Sequence, residues 1–183
     1  MDAGVDGLET ARLKLRRFTA DDLPLLQALN GDAEVMRHLG GVETAEQTYE
    51  ALHGRILGYY RERPGYGVWA TLEKHSGQCI GFHLLNDIRG TAHQQIGYRL
   101  FPRYWGQGYA TEMSVALMRY GYMQLGLAQL TAITHLDNTG SQNVLLKAGL
   151  HRKGEREIEA YRAFSPLAWF ERDAADWLAA FGT

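Results

Sequence analysis

The spacing of apolar residues divides the first third of the chain into one strand and two helices. Residues 10–17 alternate between apolar and charged side chains, which predicts a half-buried strand. Residues 19–22 read Thr-Ala-Asp-Asp, a capping-box pattern, and predict the start of a helix with apolar positions up to Leu29. A second such pattern, Thr-Ala-Glu-Gln at 44–47, predicts a helix that ends before Pro64, because proline cannot continue it.

The period changes to that of strands from residue 66 onwards. Residues 67–72 and 79–85 predict a hairpin with a turn at 75–77, and residues 94–101 predict a third strand beside them. The later segments are predicted, in order, as a helix at 111–125, a strand at 129–135, a helix at 140–147, a closing hairpin of 151–162 with 167–172, and a short helix near 176–180. This mixture of helices and strands indicates an α/β domain of mixed α+β character.

Composition supports one domain and limits its partners. The chain has 183 residues, 45% of them hydrophobic, so we expect residues 1–183 to form one domain in which residues 1–8 are candidates for disorder. The 19 basic and 21 acidic residues leave a formal net charge of -2, which argues against nucleic acid as a partner. The start of the chain lacks the apolar stretch of a secretory signal, and no run of about 18 apolar residues occurs. We therefore expect a cytoplasmic protein that does not bind membranes.

Cysteine and histidine patterns give no sign of a metal centre. Cys79 is the only cysteine and lies in an apolar run, so we interpret it as a structural residue in a reducing compartment. None of the seven histidines forms an HExxH pattern or another paired-ligand spacing. The sequence therefore predicts no metal.

A glycine turn between a predicted strand and a predicted helix is the clearest candidate for binding chemistry. Gly106 and Gly108 precede the helix, and the first backbone N–H groups of a helix have no partner within it. Such groups bind phosphate oxygens, so one interpretation is a site for a phosphate-bearing ligand and the other is a tight turn without a ligand. The turn lacks the Gly-Lys-Ser/Thr of nucleotide-binding loops and does not fit the GxGxxG fingerprint of dinucleotide sites.

Three segments, in order along the chain, resemble one known family. Residues 9–16 read ETARLKLR, residues 96–112 read IGYRLFPRYWGQGYATE, and residues 138–150 begin NTGS and end KAGL. They are similar to the GNAT superfamily of acyl-CoA-dependent N-acetyltransferases, and within it to the Rim-type branch of ribosomal-protein N-terminal acetyltransferases and their relatives. The resemblance implies a GNAT-like fold: a mixed, mostly antiparallel sheet of about seven strands, flanked by helices and splayed between the fourth and fifth strands.

The resemblance also implies where acetyl-CoA would bind. The family motif Q/R-x-x-G-x-G/A matches in one register with Trp105, Gly108 and Ala110, although a register that starts at Arg103 also fits. We prefer the first register because it keeps the family's spacing from the preceding proline. The pyrophosphate would lie on the turn, and the pantetheine arm would pair with the backbone of the preceding strand and with Asn138, which is also explained as a helix N-cap. The residues so implied are Tyr98, Arg99, Leu100, Trp105, Gly106, Gln107, Gly108, Tyr109, Ala110, Asn138 and Ser141.

Acetyl transfer to an amine needs a neutral amine and a proton donor for the leaving thiolate. Some relatives donate that proton from a tyrosine at the position of Leu145. The resemblance points instead to Ser141, which is otherwise an ordinary first-turn residue of a helix. Relatives often carry an acidic residue where this chain has Gln95, so the candidate bases are His83 and His135, each of which is otherwise a structural or surface histidine.

The function implied by the resemblance is an acetyl-CoA-dependent N-acetyltransferase in which the amine attacks the thioester directly in a ternary complex. The acceptor would be a protein N-terminal α-amino group or a small-molecule amine. An α-amino group, with a pKa of about 7.7–8.0, would need no strong base. The closing hairpin, around residues 161–169, is a candidate wall of the acceptor pocket. Glu112 is interpreted as orienting the glycine turn.

Two other functions stay open from the sequence. Leu145 and Gln95 stand where relatives carry acid-base residues, which leaves room for an acyl-CoA-binding module without catalysis. The other is an interaction protein whose glycine turn binds nothing. In each case the chain would act as a monomer or a homodimer.

Overall fold

One seven-stranded sheet organises the fold. The computed structural model describes residues 5–182 and has strands at Leu13–Arg17 (β1), Gly67–Glu73 (β2), Cys79–Asp87 (β3), Gln94–Leu100 (β4), Gln129–His135 (β5), His151–Arg156 (β6) and Leu167–Asp173 (β7). Their order across the sheet is β1-β2-β3-β4-β5-β7-β6. Neighbouring strands are antiparallel except β4 and β5, which are parallel. The predicted mixed, mostly antiparallel sheet is confirmed.

Helices cover both faces of this sheet. They are α1 (Leu23–Asn30), α2 (Ala33–Met36), α3 (Ala45–Glu50), α4 (Tyr59–Glu62), α5 (Tyr109–Met123), α6 (Thr139–Lys147) and α7 (Ala174–Phe181), with a π-helical segment at Ala51–Gly58 between α3 and α4. Within residues 5–182, none of them is long and apolar enough to cross a membrane.

Adjacent residues of β4 show which helices lie on which face, because successive side chains of a strand point in opposite directions. Arg99 hydrogen-bonds Asn30 of α1, and α1 packs against α2 and α3. Tyr98 packs on His83, whose ring contacts the first turn of α5, and α5 packs against α6. The sheet therefore has an α1 face, which carries Arg99, and an α5 face, which carries Tyr98.

Both predicted capping boxes are present. Asp22 accepts a hydrogen bond from the backbone N–H of Thr19 at 2.8 Å, and Thr44 accepts one from that of Gln47 at 3.1 Å. The helix predicted after Thr44 does form, but it includes the π-helical segment, which the apolar spacing did not predict. The short helix α2, capped by Asp32, was also not predicted, because four residues are too few to show a helical period.

Part of the amino-terminal segment packs on the core. Residues 1–8 are candidates for disorder from the sequence, yet Val5 is only 2% exposed and the backbone N–H of Leu8 donates to its carbonyl at 2.8 Å. The N–H of Gly7 also donates to the carbonyl of Leu15 in β1 at 3.0 Å. In the structure, residues 5–8 therefore pack against the sheet. Residues 1–4 lie outside the described residues.

The sheet opens between β4 and β5. The two strands share one backbone pair, Gln95 with Thr131, near their amino-terminal ends. On its other side, β4 pairs with β3 along its whole length. The predicted splay between the fourth and fifth strands is thus confirmed. We call the resulting gap, bordered by residues 97–100 and 133–135, the β4–β5 opening.

Candidate active site

The glycine turn at the end of the β4–β5 opening has the geometry that an anion site requires. Gly106 and Gly108 have φ angles of 71° and 81°, which residues with a Cβ rarely adopt. A Cβ at Gly106 would meet no atom within 4 Å, so the space above the turn is open. Gly108 is the N-cap of α5, whose free N–H groups and dipole favour negative charge at that end. The turn therefore fits a phosphate group.

Side chains of the turn tie it to the preceding segment. The indole N–H of Trp105 donates to the carbonyl of Leu100, the last residue of β4, at 2.8 Å. The side-chain amide of Gln107 donates to the carbonyl of Arg103 at 2.9 Å. Trp105 is nevertheless 42% exposed, so a large apolar surface remains beside the turn for a ligand to cover.

Arg12, which immediately precedes β1, contacts the turn and the first turn of α5. Its Nε donates to the carboxylate of Glu112 at 2.7 Å, and its Nη1 donates to the carbonyl of Gln107 at 2.9 Å. Thr10 Oγ1 also donates to Glu112, at 2.6 Å. These contacts support the interpretation of Glu112 as a residue that orients the turn. The alternating pattern predicts Arg12 on the polar face of a strand, and it does not predict this contact.

Tyr98 and Ser141 meet across the β4–β5 opening. Asn138 is the N-cap of α6, and its Oδ1 accepts the backbone N–H of Ser141 at 3.0 Å. The side chain of Ser141 lies close enough to the Tyr98 hydroxyl to affect the pKa of that group. Burial raises the pKa of Tyr98, and the nearby Ser141 side chain partly opposes the rise. Leu145, where some relatives carry a tyrosine, is a core residue with 2% exposure.

His83 lies inside the protein and does not reach the opening. Its side chain is fully buried, with Nδ1 2.7 Å from Thr71 Oγ1 and Nε2 3.4 Å from the carbonyl oxygen of Ala110. Burial lowers the pKa of His83 to about 3, despite the opposing effect of the Ala110 carbonyl. A base must touch the amine that it deprotonates. The candidate base role of His83 is therefore not supported, and the ring instead supports the start of α5.

His135 is half-buried at the end of β5, but its lone pair is already in use. Its Nδ1 accepts the backbone N–H of Asp137 at 3.1 Å, so the neutral ring carries its proton on Nε2. Its ring stacks on that of His38, with 5.4 Å between centroids. Burial, with smaller contributions from Arg37 and His135, lowers the pKa of His38. Sequence reasoning missed His38 because the loop that carries it follows the unpredicted helix α2.

The α1 face beside the opening carries a charged network. Arg99 Nη1 donates to Asn30 Oδ1 at 2.5 Å, and Asn30 Nδ2 donates to Glu43 at 2.9 Å. Burial lowers the pKa of Arg99 to about 10, and the nearby carboxylate of Glu43 opposes that change. The backbone of Arg99 thus borders the opening, whereas its side chain belongs to the opposite layer from Tyr98.

Two cavities meet at Arg89 and are candidates for the acceptor site. One has a volume of about 400 Å³ and is lined by Glu43, Gln47, Glu50, Arg55 and Arg89. The other has a volume of about 300 Å³ and lies between residues 89–93, residues 156–160 and Trp169. Arg89 also lies 5.0 Å above the ring of Tyr161. The closing hairpin therefore contributes to a cavity wall.

Other reactive side chains offer no alternative centre among the described residues. Residues 5–182 hold no group of three His, Cys, Asp or Glu side chains that could bind a metal. Burial raises the pKa of Cys79, which leaves the thiol less able to ionise.

Comparison with known proteins identifies the family. The family model for the acetyltransferase (GNAT) domain matches residues 12–151, which include β1, the glycine turn and α6. The chain belongs to the GNAT acetyltransferase family. A curated relative, the uncharacterized N-acetyltransferase YoaA of Bacillus subtilis (strain 168), is 32% identical over 163 residues, which are 87% of this chain and 90% of the relative.

Solved structures of GNAT acetyltransferases share the fold. The ribosomal-protein-S5-alanine acetyltransferase of Vibrio fischeri superposes with a TM-score of 0.73 at 16% identity, over 93% of this chain and 97% of the other. The spermidine N-acetyltransferase of Vibrio cholerae, in complex with CoA and spermine, gives a TM-score of 0.72 at 15% identity, over 92% and 99% of the two chains. At these identities the likeness establishes the fold alone.

Family membership gives the described geometry a chemical meaning. GNAT acetyltransferases transfer an acetyl group from acetyl-CoA to an amine, and this chain is an enzyme of that class. The glycine turn follows β4, and the side chains of Tyr98 and Ser141 lie close together at the β4–β5 opening.

Proposed function

We propose that this GNAT acetyltransferase moves an acetyl group from acetyl-CoA to a primary amine by direct attack within a ternary complex. The observation that carries the proposal is the β4–β5 opening, which leads from the glycine turn to Ser141. A ternary complex needs the two substrates to meet, and in this proposal they meet in the β4–β5 opening beside Ser141. The strands on both sides of the opening, β4 and β5, belong to one sheet, which supports residues 1–183 acting as one catalytic domain.

The donor site fits acetyl-CoA by its backbone. Residues 106–110 offer backbone N–H groups and open space at the positive end of α5, which suits a pyrophosphate. The edge of β4 at residues 98–100 has no strand partner on the β5 side and can pair with an extended amide chain. Asn138 would add a side-chain contact to the same arm. Acetyl-CoA, when bound, supplies the thioester whose acetyl group is transferred.

Ser141 is the proton donor in this proposal. Its hydroxyl lies on the first turn of α6, near that of Tyr98. As the C–S bond breaks, the Ser141 hydroxyl would give its proton to the departing sulfur, and it would take one back from the attacking nitrogen, which loses a proton after the C–N bond forms. The Asn138 cap fixes the backbone of the same residue.

The amine would arrive neutral rather than be deprotonated by a strong base. His83 is buried, and the Nδ1 lone pair of His135 is occupied by the N–H of Asp137. An α-amino group, whose pKa is about 7.7–8.0, is partly neutral at physiological pH, whereas a lysine amine near 10.4 is not. We therefore favour an α-amino group as acceptor, with a small-molecule amine as the alternative. Among the fold neighbours, one is named for an alanine of ribosomal protein S5 and one for spermidine.

Acetyl-CoA turnover against a panel of amines tests this function. Purified enzyme is mixed with acetyl-CoA and either peptides with free N-termini, matched peptides with a blocked N-terminus and one lysine, or polyamines. We expect thiol release with free N-termini, and mass spectrometry should place the acetyl group on the α-nitrogen. Tight CoA binding without turnover on any amine would instead identify a non-catalytic acyl-CoA-binding module. Failure to bind CoA would overturn both functions.

A further inference from the structure

Arg12 is the side chain that joins the start of the chain to the glycine turn. Its guanidinium uses two of its three nitrogens on the protein, Nε on Glu112 at 2.7 Å and Nη1 on the carbonyl of Gln107 at 2.9 Å. The backbone N–H of Arg12 donates to Glu112 as well, at 2.9 Å. The group lies 4.3 Å over the ring of Tyr109, which fixes its plane. Arg12 is therefore held in one orientation by four contacts.

The third nitrogen faces the anion site. Nη2 makes no hydrogen bond within residues 5–182 and lies 3.3 Å from the position that a Cβ on Gly108 would take. Gly108 is the N-cap of α5, so Nη2 lies beside the end of the helix that carries the free N–H groups. The side chain is 43% exposed, which leaves that nitrogen open to a ligand. Arginine is suited to this position because its planar fork can bind several acceptors at once.

Glu112 makes a cation necessary at this position. Its carboxylate lies in the first turn of α5, where it would repel a bound pyrophosphate. Burial alone would raise the pKa of Glu112, but hydrogen bonds from Thr10 and from the backbone and side chain of Arg12 hold it below its usual range. The carboxylate is therefore ionised at neutral pH, and the guanidinium offsets its charge.

We propose that Arg12 is a phosphate-binding residue of the coenzyme site, with Nη2 donating to the pyrophosphate while Nε and Nη1 anchor the guanidinium. This rests on the proposed function, because it requires CoA on the glycine turn. It adds a cation from a segment 96 residues before Gly108 to a cradle otherwise made of backbone. The role differs from that of Glu112, which orients the turn without touching the ligand.

Binding of truncated ligands tests the assignment. Calorimetry would compare wild type, Arg12→Ala and Arg12→Lys with CoA, with dephospho-CoA, which keeps the pyrophosphate, and with pantetheine, which has no phosphate. We expect Arg12→Ala to weaken CoA and dephospho-CoA by about tenfold to hundredfold, the range for a hydrogen bond to a charged group. Pantetheine should bind wild type and variant equally. Arg12→Lys keeps the positive charge but not the planar guanidinium. It should weaken binding about half as much as Arg12→Ala does on a logarithmic scale.

A double variant separates direct contact from charge cancellation. If Arg12 acted only by offsetting Glu112, then Arg12→Ala with Glu112→Gln would bind CoA as tightly as Glu112→Gln alone, and the proposal would be wrong. A direct contact predicts that the double variant stays weak. Lys14→Ala is the matched control, since Lys14 is an exposed cation of β1 that pairs with Glu9 at 3.3 Å. It should leave CoA binding unchanged.

Each remaining outcome decides the proposal. An equal loss on pantetheine would show that Arg12 only shapes the turn, and a loss on CoA but not on dephospho-CoA would place the contact at the 3′-phosphate. Both would overturn the assignment. If the wild-type protein did not bind CoA, the proposed function itself would be wrong. If the wild type bound CoA tightly and the Arg12 variants bound it with the same affinity, only this inference would be wrong.

Thermal unfolding shows whether Arg12→Ala is folded. If it is not, the comparison is made with Arg12→Lys instead.

Discussion

The donor end and the acceptor end of the proposed site are built from different parts of the polypeptide. The donor end consists of the glycine turn and the free edge of β4, and most of its groups are backbone N–H and carbonyl groups. The acceptor end consists of the two cavities around Arg89 and is lined by side chains of both charges from separate loops and helices. A site built from backbone groups requires particular residues, chiefly glycine, whereas a site lined by side chains can change its ligand through single substitutions. The ligand class of the donor end is therefore easier to predict from the sequence than that of the acceptor end.

The largest effect is expected at the donor end, from Gly108→Glu. The new side chain would be strained at φ 81° and would place a carboxylate where the pyrophosphate binds. We expect CoA binding to become undetectable by calorimetry, and acetyl transfer to stop. Gly77→Glu is the matched control, because Gly77 has φ 70° in the exposed turn between β2 and β3 and has open space around its Cβ position. It should show similar strain but normal CoA affinity. If Gly108→Glu bound CoA normally, the donor site would lie elsewhere.

A second prediction concerns the point where the two ends meet. Ser141→Ala removes the proposed proton donor, so kcat should fall by about a hundredfold or more, the usual effect of removing a general acid. CoA affinity should change little, because the Asn138 cap and the turn remain. Stopped-flow or steady-state turnover with saturating acetyl-CoA measures the change.

Two further variants sharpen this prediction. Tyr98→Phe removes the hydroxyl that lies near Ser141 and should lower kcat by a smaller factor, about tenfold. Thr139→Ala removes an exposed hydroxyl from the same turn of α6 and should have no effect. A kcat within threefold of wild type for Ser141→Ala would exclude the serine as the acid.

Much of the donor end could be predicted from sequence because its geometry restricts local residue choice. The two glycines of the turn, the helix that follows and Asn138 before α6 all appear as local patterns, and the structure forms these elements where the patterns place them. The contact of Arg12 could not be predicted, because a residue before β1 shows no sign of a partner 100 residues away. The available signal was Glu112 itself, because a carboxylate inside a predicted anion site needs a cation to offset its charge.

The roles of the histidines were harder to predict, for a different physical reason. His38 lies in a loop after the short helix α2, which the apolar pattern did not reveal. His83 illustrates the opposite error, because strand alternation cannot tell a buried polar residue from one that faces a cleft. Burial and hydrogen bonding, rather than residue type, decided its role.

The third prediction tests whether His83 is a support of the donor end rather than a base. Its pKa is lowered to about 3 by burial in the folded state, against about 6.5 when unfolded. Between these values the unfolded state binds the extra proton, so stability present above pH 6.5 is lost as the pH falls. We expect the free energy of unfolding to drop by up to about 1.4 kcal/mol per pH unit from this group. His83→Gln should flatten that slope between pH 6 and 4, as measured by denaturant unfolding.

Activity measurements complete this test. His83→Gln should retain kcat within a few fold at pH 7.5, where stability does not limit it. A loss of kcat as large as that for Ser141→Ala would restore His83 as a catalytic residue. His75→Gln, in the exposed turn after β2, is the matched control for removing one histidine and should leave the pH slope unchanged.

The smallest effect is expected at the acceptor end, from Arg89→Ala. Arg89 is the side chain shared by both cavities, which also contain Glu43 and Glu157. Removing a cation there should favour positively charged acceptors over neutral ones. The ratio of kcat/KM for a polyamine to that for an uncharged peptide amide with a free N-terminus should rise by about threefold to fivefold at low salt, and less at high salt. CoA affinity should not change.

The Arg89 experiment is also the sharpest check on the comparison between the two ends. Arg61→Ala, which removes an exposed arginine of α4 outside both cavities, gives the background effect of losing one positive charge. A ratio that moves equally in both variants would mean that the net charge, and not the cavity, guides the acceptor. A ratio that moves only for Arg89, with unchanged CoA affinity, would show that the two ends can be altered independently. Acceptor choice would then follow from the side chains of the α1 face, while the backbone cradle stays the same.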